Sequence, residues 1–213
     1  AVEYIEDGMV VGLGTGSTAA KMVDLVGKKV KNGLNIIAVP TSEATAEQAR
    51  NLGIQVVGFD EVQVIDLTID GTDEVDPEMR LIKGGGGAHL REKIVADLSD
   101  RMIVIAENKK MVSKLGAFKL PVEVIPFSAG ALMPKMEALG CRPAIREKDG
   151  TPFRTDENNL IIDCAFDQID DPEELALTLS LMPGVVEHGL FIDLADIVLI
   201  GTDEGVKKFE RTG

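Results

Sequence analysis

Apolar positions come along this chain in short blocks, and the blocks alternate between two spacings. Residues 9–14 form an apolar run ending in glycine, and residues 17–30 then place Ala19, Met22, Val23, Val26 and Val30 three or four apart. That change of period predicts a strand, a tight turn and a helix. Residues 35–40 repeat the strand signal, and Ser42, with Thr41 before it, offers an N-cap to a helix running towards Asn51. Further apolar runs cover 55–58, 64–70, 79–83 and 101–106, and Leu90, Ile94, Val95 and Leu98 mark a helix between the last two. Such alternation predicts an α/β fold, a mostly parallel, doubly wound sheet with helices on both faces. In such sheets ligands bind beyond the carboxyl ends of the strands, so Gly14, Asp70 and Lys83 are all expected at that edge.

Beyond about Leu120 the pattern changes. Residues 122–125 read as a strand, and a helix disturbed by Pro134 follows Ser128. Two apolar stretches, 141–147 and 160–166, flank a turn at Asp149-Gly150, a hairpin signal. Asp171-Pro172-Glu173-Glu174 supplies an N-cap, a proline at the first helical position and an acid three residues past the cap, and Pro183-Gly184 ends that helix. The order strand, helix, strand, strand, helix, strand describes a small inserted α+β domain of the split βαβ, ferredoxin-like kind. The boundaries place residues 1–119 with 195–213 in the α/β catalytic domain and 120–194 in the insert, with 197–200 and a closing helix returning to the first domain.

The 213 residues and 45% hydrophobic content supply a core for such a fold, while a net charge of -14 argues against non-specific nucleic-acid binding. An anionic ligand must then be held by a local positive site. Cys141 and Cys164 form no CxxC pair and read as small core residues, which with no visible secretory signal points to the cytoplasm. With two histidines and two cysteines a zinc site has few ligands to draw on, so no metal is expected. No apolar run approaches about 18 residues, so no membrane span is expected.

Candidate chemistry concentrates in four stretches. Residues 83–93, Lys-Gly-Gly-Gly-Gly-Ala-His-Leu-Arg-Glu-Lys, place a cation, four glycines and then a carboxylate at the start of a helix. A flexible loop is one reading; the other is that Lys83 and the amides of Gly84, Gly85 and Gly86 approach an anion, with Glu92 as a proton acceptor at the same spot. Residues 12–18, Gly-Leu-Gly-Thr-Gly-Ser-Thr, join the first strand to its helix. Ser17 stands where a dinucleotide loop needs glycine, and the Gly-Lys-Ser of a P-loop is missing, so nicotinamide and ATP are disfavoured. A plain turn capped by Ser17 stays open beside a monophosphate site made by Thr15, Gly16, Ser17 and Thr18. Asp70-Gly71-Thr72-Asp73-Glu74 brings two carboxylates to the sheet edge, for a metal or for hydroxyl protons, the latter preferred with only His89 nearby. The same tetrapeptide recurs at Gly201-Thr202-Asp203-Glu204, where helix capping is the better reading. Lys110 follows a strand and could reach a phosphate at that edge, and His89 reads as a loop or capping residue.

Taken together and in this order, residues 12–18, 70–74, 83–88 and 91–95 resemble ribose-5-phosphate isomerase of type A, and the resemblance continues through 120–126 and 183–191. It implies interconversion of ribose 5-phosphate and ribulose 5-phosphate in the pentose phosphate pathway, with no metal or cofactor, in a two-domain homodimer or homotetramer. By motif the base falls on Glu92, and the substrate-binding segments on Thr15 to Thr18, on Asp70, Gly71, Thr72 and Asp73, on Lys83 to Gly86, and on Lys110. Members of the family usually begin with a longer N-terminal helix, often with a lysine near the phosphate, so that contact is expected to be absent or supplied otherwise. His89 occupies a place often filled by an uncharged residue. The chemistry fits the residues on its own terms: an enediolate route needs a carboxylate base, positive charge or amides at the oxyanion and a group for hydroxyl protons. Glu92, then Lys83 with the glycine amides, then Asp70 and Asp73 meet those needs. The rival readings are a sugar-phosphate deaminase or lactonase, and a non-catalytic sugar-phosphate sensor, for which no helix-turn-helix is evident.

Overall fold

The computed structural model describes residues 1–211. In chain order the elements begin β1 (Val10–Leu13), α1 (Ser17–Lys31), β2 (Ile37–Pro40), α2 (Glu43–Asn51), β3 (Gln55–Val56) and β4 (Leu67–Gly71). Two short strands follow, β5 (Glu74–Val75) and β6 (Leu81–Ile82), then α3 (His89–Asp97), β7 (Met102–Glu107), β8 (Leu120–Val124) and α4 (Ala129–Ala138). The rest comprises β9 (Arg142–Ile145), β10 (Glu147–Lys148), β11 (Thr151–Pro152), β12 (Leu160–Ala165), α5 (Pro172–Ser180), β13 (Val185–His188), β14 (Leu190–Phe191), β15 (Ile197–Thr202) and β16 (Gly205–Glu210).

The chain groups into two units, the first built from Ala1–Thr72, Arg91–Lys110 and the stretch from Asp193 onward, the second from Asp73–Leu90 and Met111–Ile192. The first unit holds a seven-stranded sheet in the order β16-β15-β7-β4-β1-β2-β3. All neighbours pair in parallel except β16, which runs antiparallel to β15. Residues along a strand alternate between faces: Val11 and Leu13, with Ala38 of β2, pack against Met22, Val23 and Val26 of α1. Val39, the neighbour of Ala38, instead joins Val57, Ile65 and Val95 of α3. Helices therefore cover both faces, as doubly wound sheets require. The strand order reverses between β1 and β4, the switch point at which such sheets open a crevice beyond their carboxyl ends.

The second unit carries an antiparallel sheet in the order β13-β8-β12-β9. With α4 and α5 this is the expected split βαβ insert. Leu120, Val122 and Val124 of β8, Leu160, Ile162 and Cys164 of β12, and Leu132 and Met136 of α4 form its core, which also takes up the free thiol of Cys141. Asp171 caps α5 by accepting the Glu174 amide at 2.9 Å. Asp149 and Gly150 form the tip of the β10-β11 ribbon, both at positive φ, +54° and +74°.

Three expectations need correction. The run 79–83 contributes β6 not to the parallel sheet but to a separate antiparallel one, β14-β6-β5. Lys83 therefore follows a strand of this small sheet, not one of the large parallel sheet. Residues 73–90 and 111–119, assigned to the first domain from sequence, group with the second unit. The closing helix is instead the strand β16, and Gly201-Thr202-Asp203-Glu204 forms the hairpin leading into it, with Thr202 Oγ1 donating to the Gly205 carbonyl at 2.9 Å and Gly205 at φ +132°. Val206 and Phe209, three apart, fit the helical period and not the alternation of a strand; pairing with the edge of β15 overrides that local signal.

Candidate active site

In the first unit the candidate residues gather where β1, β4 and β7 end. Gly14 follows β1 and lies so close to Asp70 that an added Cβ would sit 2.0 Å from Asp70 Oδ1. That oxygen accepts the Thr15 amide at 3.0 Å and the Gly71 amide at 2.7 Å. Asp70, fully buried, thus fixes the loop after β1 against the end of β4. The Thr15 hydroxyl does not point to an anion site but into a cluster with Thr41 (2.7 Å), Ser42 (2.8 Å) and Thr45 (3.1 Å). Thr45 Oγ1 in turn donates to the Gly14 carbonyl at 3.1 Å, and Ser42 caps α2. Spacing revealed Ser42 as a cap, whereas the part played by Thr41 and Thr45 comes from the pairing of β2 beside β1, which brings their hydroxyls to the same edge.

Gly16, not Ser17, occupies the N-cap of α1, at φ +111° and with no side chain to bond the first-turn amides. The capped-turn reading of Ser17 therefore fails. Ser17 is exposed and Thr18 half-buried, both in the first turn of α1, and the amides of a helix N-terminus favour an anion. Gly71 is buried and Thr72 half-buried beside Asp70, and Lys110 closes the helical turn Asn108–Lys110 after β7.

Glu92 lies in the first turn of α3 and is only 4% exposed. Three features of this unit hold the helix. The absence of a side chain at Gly12 admits Val95, whose Cγ1 would otherwise lie 2.7 Å from a Cβ there. Ser99 Oγ donates to the Val95 carbonyl at 2.6 Å and lies 2.7 Å from Thr68 Oγ1 of β4. Arg91 pairs with Glu43 of α2 at 2.8 Å, and this hydrogen bond and charge hold the Glu43 carboxyl below the usual carboxylate range.

In the second unit Lys83 is 2% exposed, its amide donating to the Gly189 carbonyl at 2.9 Å and its ammonium 5.4 Å from the centre of the Phe191 ring. Nothing in the apolar run around Phe191 announced that contact. The glycine run following Lys83 has a steric cause: Cβ atoms at Gly84, Gly85 and Gly87 would come within 2.7 Å of the His89 ring, 2.7 Å of the Asp73 carboxylate and 2.5 Å of the Phe153 ring. Gly84 and Gly87 also take φ of +100° and +81°. The Gly85 amide donates to Asp73 Oδ2 at 2.7 Å, so one amide of the expected anion cradle is bound to the chain's own carboxylate. Glu74, neighbour of Asp73, is structural: it accepts the amides of Gly116 and Phe118 at 2.7 and 2.5 Å. Among the described residues no group of three or more His, Cys, Asp or Glu side chains is arranged to hold a metal ion.

These residues can be set beside known proteins. The family model described as ribose 5-phosphate isomerase A (phosphoriboisomerase A) matches residues 37–205. The chain is 49% identical to ribose-5-phosphate isomerase A of Sphingopyxis alaskensis, over 99% of this chain and 92% of the relative, and 51% identical to that of Parvibaculum lavamentivorans, over 99% and 94%. Among solved structures, a D-ribose-5-phosphate isomerase in complex with phospho-erythronic acid matches with a TM-score of 0.96 at 42% identity, covering 99% of this chain and 94% of that one. The enzyme from Plasmodium falciparum matches with a TM-score of 0.95 at 35% identity and the same coverage. Sequence identity near one half over the whole length, together with the same fold, leads to one conclusion: the chain belongs to the ribose 5-phosphate isomerase A family.

Proposed function

We infer that this protein interconverts D-ribose 5-phosphate and D-ribulose 5-phosphate, an aldose–ketose isomerisation of the pentose phosphate pathway. Membership of the family supports the activity. The roles of individual residues are our reading. Glu92 takes the proton from C2 of the open-chain aldose and returns it to C1, while a proton leaves the C2 hydroxyl and one is gained at O1. Lys83 supplies positive charge to the enediolate between those steps. Asp70 and Asp73 orient the hydroxyls that exchange protons and assist ring opening. The phosphate goes to the N-terminus of α1, at Gly16, Ser17 and Thr18, with Lys110 as a further cation and Thr15 acting through its backbone and its hydroxyl cluster. Gly71 and Thr72 line the sugar beside Asp70, and Gly84 and Gly86 complete the segment that begins at Lys83. The observation that carries the assignment is the burial of a carboxylate, Glu92, in the first turn of a helix, where only a functional need or a partner offsets the cost of desolvation.

The same reading takes the protein to act in the cytoplasm as a homodimer or homotetramer, without metal or cofactor. Side chains such as Phe127, 98% exposed, and Leu181, 72% exposed, are apolar surface that a second copy would cover. No helix among the described residues is long and apolar enough to cross a membrane. Incubating the purified protein with ribose 5-phosphate, with and without EDTA, tests the reading. It requires ribulose 5-phosphate to form at the same rate in both. Loss of turnover with chelator would contradict the metal-free mechanism, and binding without turnover would contradict the isomerase.

A further inference from the structure

Arg146, the residue between β9 and β10, belongs to none of the recognised motifs, yet its guanidinium is engaged on every side. Nε and Nη2 bond the two carboxylate oxygens of Asp163 at 3.0 and 2.5 Å, and Nη1 donates to the carbonyls of Gly84 at 2.8 Å and Gly85 at 3.2 Å. The Phe153 ring, 5.9 Å away, covers it, and only 14% of the side chain is exposed. Its backbone is bonded on both sides, the amide to the Ile161 carbonyl and the carbonyl to the Phe153 amide, each at 2.8 Å. The cation is thus presented from a fixed point on the small sheet.

A trans peptide is planar, so its C=O and N–H point in opposite directions. Drawing the carbonyls of Gly84 and Gly85 towards Arg146 turns the amides of Gly85 and Gly86 away from it. The Gly85 amide, so turned, meets Asp73 Oδ2 at 2.7 Å. The Gly86 amide is aimed by the same rule. The Gly84 carbonyl also accepts the Gly87 amide at 2.9 Å, so Arg146 shares the first of these planes with that turn and adds a hold on the second, in a run whose glycines resist reorientation less than other residues would.

We propose that Arg146, held by Asp163, is a positioning residue for the isomerisation: it sets the peptide planes of the glycine run and thereby aims the Gly86 amide and the Asp73 carboxylate at the reacting end of the sugar. The inference rests on the isomerase reading above. Arginine is needed rather than lysine, because one planar fork reaches a carboxylate and two carbonyls at once. Orientation matters to the transition state more than to phosphate binding, so kcat should fall with little change in KM.

Arg146→Lys and Arg146→Met, compared with the unsubstituted protein, test this through kcat, KM for ribose 5-phosphate and the inhibition constant of inorganic phosphate. Both are expected to lower kcat roughly 10- to 100-fold while the other two constants stay within about twofold. Folded variants with kcat within about twofold of the parent would overturn the inference. So would a fall in kcat matched by an equal weakening of phosphate inhibition, the sign of general distortion. Should both variants fail to fold, Asp163→Asn carries the same test, with a smaller loss of kcat expected and unchanged kcat overturning it. Failure of the unsubstituted protein to turn over ribose 5-phosphate would remove the functional reading and this inference together, whereas turnover that survives Arg146→Met removes this inference alone.

Discussion

Two threonines in the segment proposed to bind phosphate, Thr15 and Thr18, differ in what surrounds their hydroxyls. Thr15 spends its hydroxyl on Thr41, Ser42 and Thr45, while Thr18 stands half-buried in the first turn of α1. Thr15→Val should therefore act on stability, costing about 1–3 kcal/mol because buried hydroxyl partners lose a bond. Melting should fall by roughly 2–4 °C for each kcal/mol lost. Thr18→Ala should leave melting unchanged and raise KM for ribose 5-phosphate several-fold with little change in kcat. Thermal denaturation and steady-state kinetics on the two variants check the division; the opposite pairing of effects would contradict it. The sequence placed both threonines in one candidate segment, residues 12–18, which joins the first strand to the start of its helix. What separates them is the segment after the neighbouring strand, where Thr41, Ser42 and Thr45 are distant in sequence and come close only once β2 pairs with β1.

Among the elements, those with a clean period were legible and those set by long-range pairing were not. Helix α1, with its apolar stripe, and α5, with its Asp171 cap and Pro172, follow their local signals closely. By contrast β6 is two residues long and its run reads like any parallel strand; only the distant partner β14 makes it antiparallel. Likewise β16 takes its form from the edge of β15. Strand β8 shows a buried charge that alternation explains. Val122 and Val124 face the core, and Glu123 between them points to the other face, 1% exposed, accepting hydrogen bonds from Thr155 and Asn159 at 2.9 Å. Burial pushes its carboxyl above the ordinary glutamate range, despite those two bonds. The folded state therefore holds this proton more tightly than the unfolded chain does, and stability from this group falls as pH rises from the ordinary value through the raised one. Glu123→Gln should accordingly melt higher than the parent at pH 7, with the gap shrinking as pH is lowered towards 4. A gap independent of pH, or one that widens on acidification, would contradict this account.

For the molecule as a whole, a net charge of -14 sets a problem for an enzyme of anionic sugars. The positive charges assigned to substrate are accordingly local: Lys83 is buried against Phe191, and Lys110 follows β7. At physiological ionic strength the remaining surface charge is screened beyond about 8 Å, so such groups can act within a hostile overall field. Of the residues proposed for the reaction, Glu92 and the loop after β1 belong to the first unit and Lys83, Asp73 and the glycine run to the second. The glycine run illustrates how far sequence reading reaches: its role as a place of close approach was legible, but the groups approached are chiefly the chain's own, Asp73, His89 and Phe153. The central claim, that Glu92 carries the proton between the two carbons, is open to a direct measurement. Ribose 5-phosphate is incubated in heavy water with the parent protein and with Glu92→Gln, and deuterium entering at C1 and C2 is followed by NMR. The account predicts that the folded variant loses both isomerisation and deuterium exchange by about 10²–10⁴-fold, the usual contribution of a positioned general base. A folded Glu92→Gln protein that exchanges deuterium at near the parent rate would contradict it.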